Sequence, residues 1–448
     1  MNSPSEVSPP GAAGPGPGAA RPAPAERAEV QARLLQENHA ATGAQVAIAR
    51  RADGSIDYLY RAGEILVRDA YLERVRAALS PTGGGGGPLG PGDAGLIEGV
   101  TLLSLAPYPY DVPGALDLID AQVGEWVATP NHMLSITPVH TCPPNEPDPE
   151  PPQAPPDPGI CDTGGSGVII YVPDTGLLAG AAEAHPWLAG VTGPTDHLIR
   201  GTIPGYAGHG TFVAGVARCM APSSTVRVND DFTAGGARSE ASFVLRLGQA
   251  LSLGADIISL SAGGCTRKDL PLLSFSAFWH RYRDYKNVVM VASAGNNSSR
   301  RPFWPAAFPE VVSVGALAAN WRSRAWFSDY GPWIDVYAPG ENLINAYATG
   351  LYTYREPPRT DHVAHFHGMA RWSGTSFATP LVAGLMAARM TRTGETGRQA
   401  ARSLLGFART QHLPSVGPVL RPCDLGGSGA GGSGAGESGG SGGCGRGL

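Results

Sequence analysis

Residues 168–176 read Val-Ile-Ile-Tyr-Val-Pro-Asp-Thr-Gly, an apolar run that leads through a proline into an acid and then a glycine. A short segment of almost continuous apolar character predicts a strand that is buried on both faces of a sheet. Asp174 then lies at the carboxyl end of that strand, where a carboxylate needs a hydrogen-bond partner to stay charged. From this stretch alone, Asp174 is equally well explained as a functional acid or as an aspartate that caps a turn or a helix.

Similar short apolar segments alternate with helix patterns over residues 165–412. This alternation predicts an α/β fold, a mostly parallel sheet with helices on both faces. In such sheets, functional groups gather at the carboxyl ends of the strands. The predicted strands are 167–172, 256–261, 288–294, 311–316 and 334–338, and the predicted helices are 209–219, 240–253, 377–391 and 398–410.

Glycine and proline are unevenly distributed along the 448 residues. They crowd near both ends and in two internal stretches, as is typical of disordered ends and linkers. Ahead of the body, strand patterns at 64–67 and 100–105 and helix patterns at 70–79 and 114–123 predict a small α+β domain. The predicted division is a disordered leader over 1–30, the α+β domain over 31–139, a Pro-rich linker over 140–164, the α/β body over 165–412 and a flexible Gly/Ser-rich tail over 413–448.

Composition excludes several classes of partner. The formal net charge is −5, and no basic run is interleaved with aromatic residues, which argues against nucleic acid and anionic membranes as partners. No apolar stretch reaches the roughly 20 residues that span a bilayer. The first 30 residues lack the basic start and apolar run of a secretory signal, so we expect the cytoplasm or a signal-independent export route.

Six cysteines are too widely spaced for a CxxC or Cys/His metal motif. Their even number suits disulfides, and free thiols in a reducing compartment fit equally well. The sequence leaves both open. They are Cys142, Cys161, Cys219, Cys265, Cys423 and Cys444.

Residues 208–217 read Gly-His-Gly-Thr-Phe-Val-Ala-Gly-Val-Ala. The pattern predicts an apolar helix that begins at His209 and whose small residues allow close packing on the sheet. A structural histidine is more often packed on a helix flank. A histidine between two glycines has no local packing partner, which favours a working base.

Residues 374–384 read Gly-Thr-Ser-Phe-Ala-Thr-Pro-Leu-Val-Ala-Gly and predict a second helix of small residues. Ser376 at its start could be a simple N-cap. An N-cap serine does not require a proline in the first turn or a helix of small residues, so these features favour a functional role for Ser376. A nucleophile here would gain from the positive end of the helix dipole and from backbone N–H groups able to bind an oxyanion.

These three segments resemble the Asp, His and Ser signature segments of the subtilisin family, in that family's chain order. The order differs from those of chymotrypsin-like enzymes and α/β-hydrolases. The resemblance covers about residues 165–395. An aspartic protease is disfavoured, because the second Asp-Thr-Gly at 162–164 follows no strand and lies too near Asp174 for the separate lobes those enzymes use.

The resemblance also implies substrate-binding residues. Residues 257–264 resemble the family's substrate-pairing edge strand, which leads into one wall of the S1 pocket, where the side chain before the scissile bond binds. Residues 291–297 resemble the segment that carries its oxyanion asparagine, here Asn296. The implied substrate-binding set is Ser261, Ala262, Gly263, Ala294, Gly295 and Phe303, with Phe303 at the floor of the pocket, where it disfavours bulky side chains.

By resemblance, the chain is expected to be a serine endopeptidase that acts through an acyl-enzyme intermediate. His209 would take the proton of Ser376, Asp174 would orient the imidazole, and Asn296 would help hold the oxyanion. Residues 63–68 and 128–132 resemble elements of the family's inhibitory prodomains. The domain at 31–139 is therefore expected to be an intramolecular inhibitor of a zymogen, with a permanently attached accessory domain as the alternative.

The sequence also bears on cofactors, on oligomeric state and on alternative functions. Residues 219–222 are shorter than the calcium-binding loop that many family members carry at this point, so no cofactor is expected to be required, although calcium elsewhere stays open. We expect a monomer that acts on proteins or peptides. A binding module on the same fold is disfavoured because all four catalytic positions keep competent residue types, and an esterase would not need the substrate-pairing strand.

Overall fold

The computed structural model describes residues 24–40, 45–80, 94–136, 145–161, 164–196, 198, 201–232, 236–283, 285 and 287–422. Its helices are α1 (Pro24–Ala40), α2 (Leu72–Leu79), α3 (Val112–Gln122), α4 (Ala181–Ala184), α5 (His209–Met220), α6 (Glu240–Ser252), α7 (Leu273–Tyr282), α8 (Thr375–Thr393) and α9 (Gly397–Thr410). Its strands are β1 (Val46–Arg50), β2 (Ile56–Arg68), β3 (Ala94–Ile97), β4 (Val100–Ser104), β5 (Ala128–Ser135), β6 (Asp148–Glu150), β7 (Ile169–Asp174), β8 (Leu177–Leu178), β9 (Thr195–Asp196), β10 (Thr202–Ile203), β11 (Thr225–Asp230), β12 (Ala237–Ser239), β13 (Ile257–Leu260), β14 (Val289–Ser293), β15 (Val311–Leu317), β16 (Val336–Pro339), β17 (Leu343–Thr353) and β18 (Val363–Trp372).

The body is built on a parallel sheet with strand order β11-β7-β13-β14-β15-β16. Strands β13, β14, β15 and β16 are buried along their whole length, as their almost continuous apolar sequence requires in a sheet covered on both faces. The predicted α/β body is confirmed. Its predicted strands and helices lie within a few residues of the observed ones.

Helices α5 and α8 lie in direct contact and form part of the main hydrophobic core. Small residues make this approach possible: a Cβ atom on Gly384 would lie 2.6 Å from the carbonyl oxygen of Ala217. At the first turns of these helices, the rings of His209 and Phe377 are 5.4 Å apart. Close packing therefore brings together two motifs that are far apart in the sequence.

The N-terminal part of the chain forms an antiparallel sheet with strand order β12-β5-β2-β4-β3, and β1 also pairs with β2. Helices α2 and α3 pack together over a separate core that includes Val67, Leu103 and Ile119. Strand β12 belongs to the body in sequence, so the N-terminal sheet extends onto the body through the β5–β12 pair.

A second sheet of the body has the order β10-β17-β18-β6 and contains a long antiparallel pair, β17–β18. Tyr352, Phe366 and Trp372 of this pair are fully buried. The sequence prediction missed both strands. Residues 343–353 mix asparagine, glycine and threonine with apolar residues, so they lack the continuous apolar run that reveals the central strands.

The structure corrects three predicted boundaries. Helix α1 begins at Pro24, so residues 24–30 are helical and do not belong to a disordered leader. Within the predicted linker, β6 pairs with β18, so this stretch is packed on the body. Residues 413–422 also pack on the body, because Leu420 is buried and its N–H donates to the Tyr337 carbonyl oxygen at 2.9 Å, which moves the predicted start of the tail past residue 422.

Of the helices in the part of the chain that the structure describes, none combines the length and apolar character needed to cross a bilayer. Cys142, Cys423 and Cys444 lie outside the described residues. Cys219 and Cys265 are buried.

Candidate active site

Asp174 is the last residue of β7 and His209 is the first residue of α5, and the two meet in the interior. Nδ1 of His209 lies 2.8 Å from Oδ1 and 3.0 Å from Oδ2 of Asp174, and both side chains are fully buried. Because a carboxylate only accepts hydrogen bonds, Nδ1 carries the proton and Nε2 is left as the basic nitrogen. The Asp174 carboxylate also accepts the N–H of Thr175 at 2.9 Å, which fixes its orientation.

The imidazole of His209 is enclosed by aromatic rings. Trp372 meets it edge-on and Phe377 meets it at a tilt, each with a centroid distance of 5.4 Å. Its Nε2 atom is buried and makes no hydrogen bond to any described residue. The hydrogen bond from the Ser376 hydroxyl to Nε2 is therefore not formed in this structure, although the ring lies beside the residue that follows Ser376.

Ser376 is the second residue of α8 and is only 2% exposed. Its backbone carbonyl accepts a hydrogen bond from the Ser261 hydroxyl at 2.7 Å, which ties the end of β13 to the start of α8. N–H groups in the first turn of a helix have no acceptor within the helix, so this turn is suited to binding negative charge.

Asn296 follows β14 and is held against the same turn. Its Oδ1 atom accepts both the N–H and the hydroxyl of Thr375, each at 2.9 Å. Because the amide oxygen is held in this way, the NH₂ group lies on the opposite side of the side chain. Asn296 is thus bound to the residue that precedes Ser376. The role of Thr375 was not predicted, since nothing local in the sequence links it to a residue so far away.

Phe303 lies between two glycine-containing segments. A Cβ atom on Gly263 would come within 2.4 Å of the Phe303 ring, and one on Gly295 within 2.9 Å. The ring itself is buried, and the neighbouring Ala262 and Ala294 are buried as well. The Phe303 ring therefore fills space between the segments that carry Gly263 and Gly295.

The end of strand β5 lies between residues 261–264 on one side and β12 on the other. We call the space between these two segments the groove. Ser135 and Gly263 exchange two backbone hydrogen bonds of 3.0 Å each, and the N–H of Ile136 donates to Gly236 at 2.9 Å. Leu134 and Ile136 are fully buried and belong to the hydrophobic core of the body. The groove is thus filled by an extended segment of the same chain, paired on both sides.

Comparison with known proteins shows to which family the chain belongs. A sequence profile of the subtilase family matches residues 165–406. Thermitase from Thermoactinomyces vulgaris is 32% identical over 236 residues, which are 49% of this chain and 74% of that protein. The chain belongs to the subtilase family. It is therefore a serine peptidase by family.

Other relatives share only part of their length with this subtilase. A thermophilic serine proteinase from Bacillus sp. strain AK1 is 31% identical, and the match covers 50% of this chain and about half (52%) of that protein. The crystal structure of fervidolysin from Fervidobacterium pennivorans, a keratinolytic enzyme related to subtilisin, superposes with a TM-score of 0.55 at 20% identity. That match covers 82% of this chain and 61% of fervidolysin, and it supports the fold alone.

Asp329 stabilises the loop that carries Asn296 in this subtilase. Its carboxylate accepts the N–H groups of Asn297 and Ser299, both at 2.8 Å, and the Asn297 side-chain amide at 3.0 Å. Complete burial raises the pKa of Asp329 to about 7, and these hydrogen bonds only partly oppose the shift. The sequence shows Asp329 in a segment that resembles the family, but no local pattern connects it to residues 296–299.

We expect Asp329→Asn to remove a pH dependence of stability. Between the ordinary pKa of 3.8 and about 7, the folded chain keeps a proton that the unfolded chain releases. The free energy of unfolding therefore falls as pH rises through this window, by up to about 4 kcal/mol. Asparagine cannot ionise, and the Asn297 amide can turn so that its oxygen accepts from the new NH₂ group.

Denaturant unfolding of both chains at several values between pH 4 and pH 8 measures this difference. Asp361→Asn, at an exposed aspartate, is the matched control and should keep the pH slope of the parent. Equal slopes for the parent and Asp329→Asn would contradict a proton held by Asp329.

Across the residues that the structure describes, no group of three or more His, Cys, Asp or Glu side chains could hold a metal ion. No metal centre is assigned to this subtilase. The expectation that calcium is not required remains a prediction.

Proposed function

We propose that this chain is a serine endopeptidase with Asp174, His209 and Ser376 as its catalytic triad and Asn296 as an oxyanion donor. The observation that carries the proposal is the buried Asp174–His209 pair beside the first turn of α8. A hydrolase needs an oriented base next to a nucleophile, and the proposal is supported by the position of the His209 ring beside Phe377, the residue after Ser376. The hydroxyl–imidazole bond is often long without substrate and tightens when substrate binds.

In the proposed reaction, Nε2 of His209 takes the proton of Ser376 as its oxygen attacks the scissile carbonyl carbon. Asp174 stabilises the imidazolium that results, and the imidazolium then protonates the leaving amine. The Asn296 amide and the backbone N–H of Ser376 hold the oxyanion of the tetrahedral intermediate. Water hydrolyses the acyl-enzyme by the same steps. The mechanism uses no metal or organic cofactor.

We also propose that the N-terminal part of the chain inhibits the enzyme as a zymogen. The support is the pairing of β5 with Gly263 and β12, because an extended substrate needs the same backbone hydrogen bonds. Salt bridges strengthen this docking: Arg267 pairs with Asp117 at 2.6 Å and with Asp120 at 2.8 Å across the interface. While β5 occupies the groove, no substrate can pair there.

One experiment tests both parts of the proposal. The parent chain and its variants are each treated with a fluorophosphonate probe. In the Ser135→Pro variant, proline removes the N–H that donates to the Gly263 carbonyl oxygen. We expect labelling to be slow in the parent, faster in Ser135→Pro and absent in Ser376→Ala. Ser135→Ala keeps the backbone N–H and loses only the hydroxyl that donates to the Gly236 carbonyl oxygen at 3.0 Å, so it is the control for the side chain and should label more slowly than Ser135→Pro.

N-terminal sequencing of the parent and of Ser376→Ala shows whether processing requires the enzyme's own serine. Processing that persists in Ser376→Ala would argue against self-cleavage. Absence of labelling in Ser135→Pro, if that chain is folded, would argue against a working nucleophile.

The position of Phe303 supports a preference for small side chains before the scissile bond. We expect Phe303→Ala to raise kcat/KM for peptides with Phe or Tyr at this position, relative to Ala, by about tenfold or more, because the ring vacates space between Gly263 and Gly295. A paired-peptide assay measures the ratio, which does not depend on the fraction of active enzyme. Phe407→Ala on α9 is the control, and an unchanged ratio for Phe303→Ala would contradict the assignment.

A further inference from the structure

Helix α1 presents two neighbouring faces to different parts of the molecule. Ala28, Ala32 and Leu35 follow helical spacing and pack in one buried cluster with Met133 of β5 and Ala237 of β12. The first helix thus shares a buried cluster with one residue of the strand that fills the groove and one of the strand that borders it.

The adjacent polar face of α1 is anchored to the body through Glu356. Arg27 donates from both Nε and Nη2 to Oε2 of Glu356, and Gln31, one turn later, donates to Oε1 at 2.6 Å. Arg27, Gln31 and Glu356 are all buried. Tyr206 donates to the same Oε1 at 3.0 Å.

Tyr206 links this anchor to the start of α5, where His209 lies. The backbone carbonyl of Tyr206 accepts the N–H of His209 at 3.2 Å, so Tyr206 leads directly into the first turn of α5. On the other side, Ala28 and Glu29 line a cavity together with Asn297 and Ser299, which follow the proposed oxyanion donor. Ala28 and Glu29, which follow Arg27 in α1, therefore border the same cavity as the segment after Asn296.

We propose that Glu356 and Tyr206 form a guanidinium-binding site for Arg27, and that this contact makes α1 a strap that holds β5 in the groove. The inference deepens the proposed inhibitory role of the N-terminal part of the chain and rests on it. The strap is separate from the backbone pairing of β5, since its polar anchor uses no residue of that strand.

The electrostatics around Glu356 favour a cation at this point. Glu146 lies next to Glu356 and accepts its backbone N–H at 3.1 Å. Burial, with the negative charge of Glu356 as a second cause, raises the pKa of Glu146 to about 7. A buried carboxylate needs a positive partner, and the planar guanidinium of Arg27 supplies two donors to one oxygen of Glu356. Removal of α1 would leave this acidic pair without that partner.

Hydrogen exchange of the full chain carrying Ser376→Ala tests the strap without any need for activity. We expect Arg27→Ala to speed amide exchange about tenfold or more in residues 24–40 and also at Ser135 and Ile136, because a buried pair is broken. Arg33→Ala, at an exposed arginine of the same helix, should change neither region. Glu356→Gln should reproduce the effect from the other side of the contact.

Arg27→Lys keeps the positive charge but loses the planar group whose two N–H groups donate to one oxygen of Glu356. We expect its amide exchange rates to lie between those of the parent and those of Arg27→Ala. Faster exchange in α1 with unchanged exchange at Ser135 and Ile136 would overturn the strap, as would equal effects of Arg27→Ala and Arg33→Ala. If Ser376 proves unreactive to the fluorophosphonate probe while exchange behaves as expected, the contact stands and the peptidase proposal fails. The two failures are therefore distinguishable.

Discussion

Under the proposed mechanism, Asp174→Asn should lower kcat by about four orders of magnitude without unfolding the chain, the cost of the same change in a serine protease that uses a Ser-His-Asp triad. The geometry gives the reason. The asparagine oxygen stays at the Oδ1 position, where it keeps accepting the N–H of Thr175, so the new NH₂ group takes the Oδ2 position, 3.0 Å from Nδ1 of His209, and donates to that nitrogen. Nδ1 must then accept a hydrogen bond, the proton moves to Nε2, and the imidazole can no longer take the proton of Ser376.

Steady-state kinetics with a fluorogenic peptide measure this effect, and KM should change far less than kcat. Asp230→Asn is the matched control, because Asp230 ends the neighbouring strand β11 in register with Asp174. It should retain parental turnover. If Asp174→Asn lost less than tenfold, another group would have to orient His209.

The central part of this site could be predicted from sequence because its signals are local. A continuous apolar run marks β7, and the acid that follows it marks the carboxyl edge of the sheet. Small residues around His209 and Ser376 mark helices that must pack closely. In each case, a pattern of about ten residues specifies both the element and the position of the side chain.

The rest of the site depends on contacts between distant residues. Thr375 holds Asn296, and Asp329 holds the loop after it, yet each looks like an ordinary polar residue in its own segment. Helix α1 was partly assigned to a disordered leader, because alanine and proline near its start hide the apolar face that Ala28, Ala32 and Leu35 form. Tertiary packing gives these residues their roles.

Strand β5 shows how one segment can serve two structures. Its first residues pair with β2 in the N-terminal sheet, and its last residues pair with β12 and Gly263 of the body. Leu134 and Ile136 are consequently buried in the core of the body. Displacing β5 would expose these two apolar side chains, so the proposed inhibition depends on hydrophobic burial as well as on hydrogen bonding.

Asn296→Ala should lower kcat about 100- to 1,000-fold, the usual cost of removing a side-chain oxyanion donor, while KM stays within a few-fold. Alanine also leaves the N–H and hydroxyl of Thr375 without their acceptor, so a loss of stability could be mistaken for a catalytic effect. Asn296→Asp separates the two, because a carboxylate still accepts from Thr375 but cannot donate to an oxyanion. Thermal unfolding should find Asn296→Asp closer to the parent in stability than Asn296→Ala, with turnover at least as low. Recovery of turnover in Asn296→Asp would show that Asn296 acts only by holding Thr375, and the oxyanion assignment would have to be withdrawn.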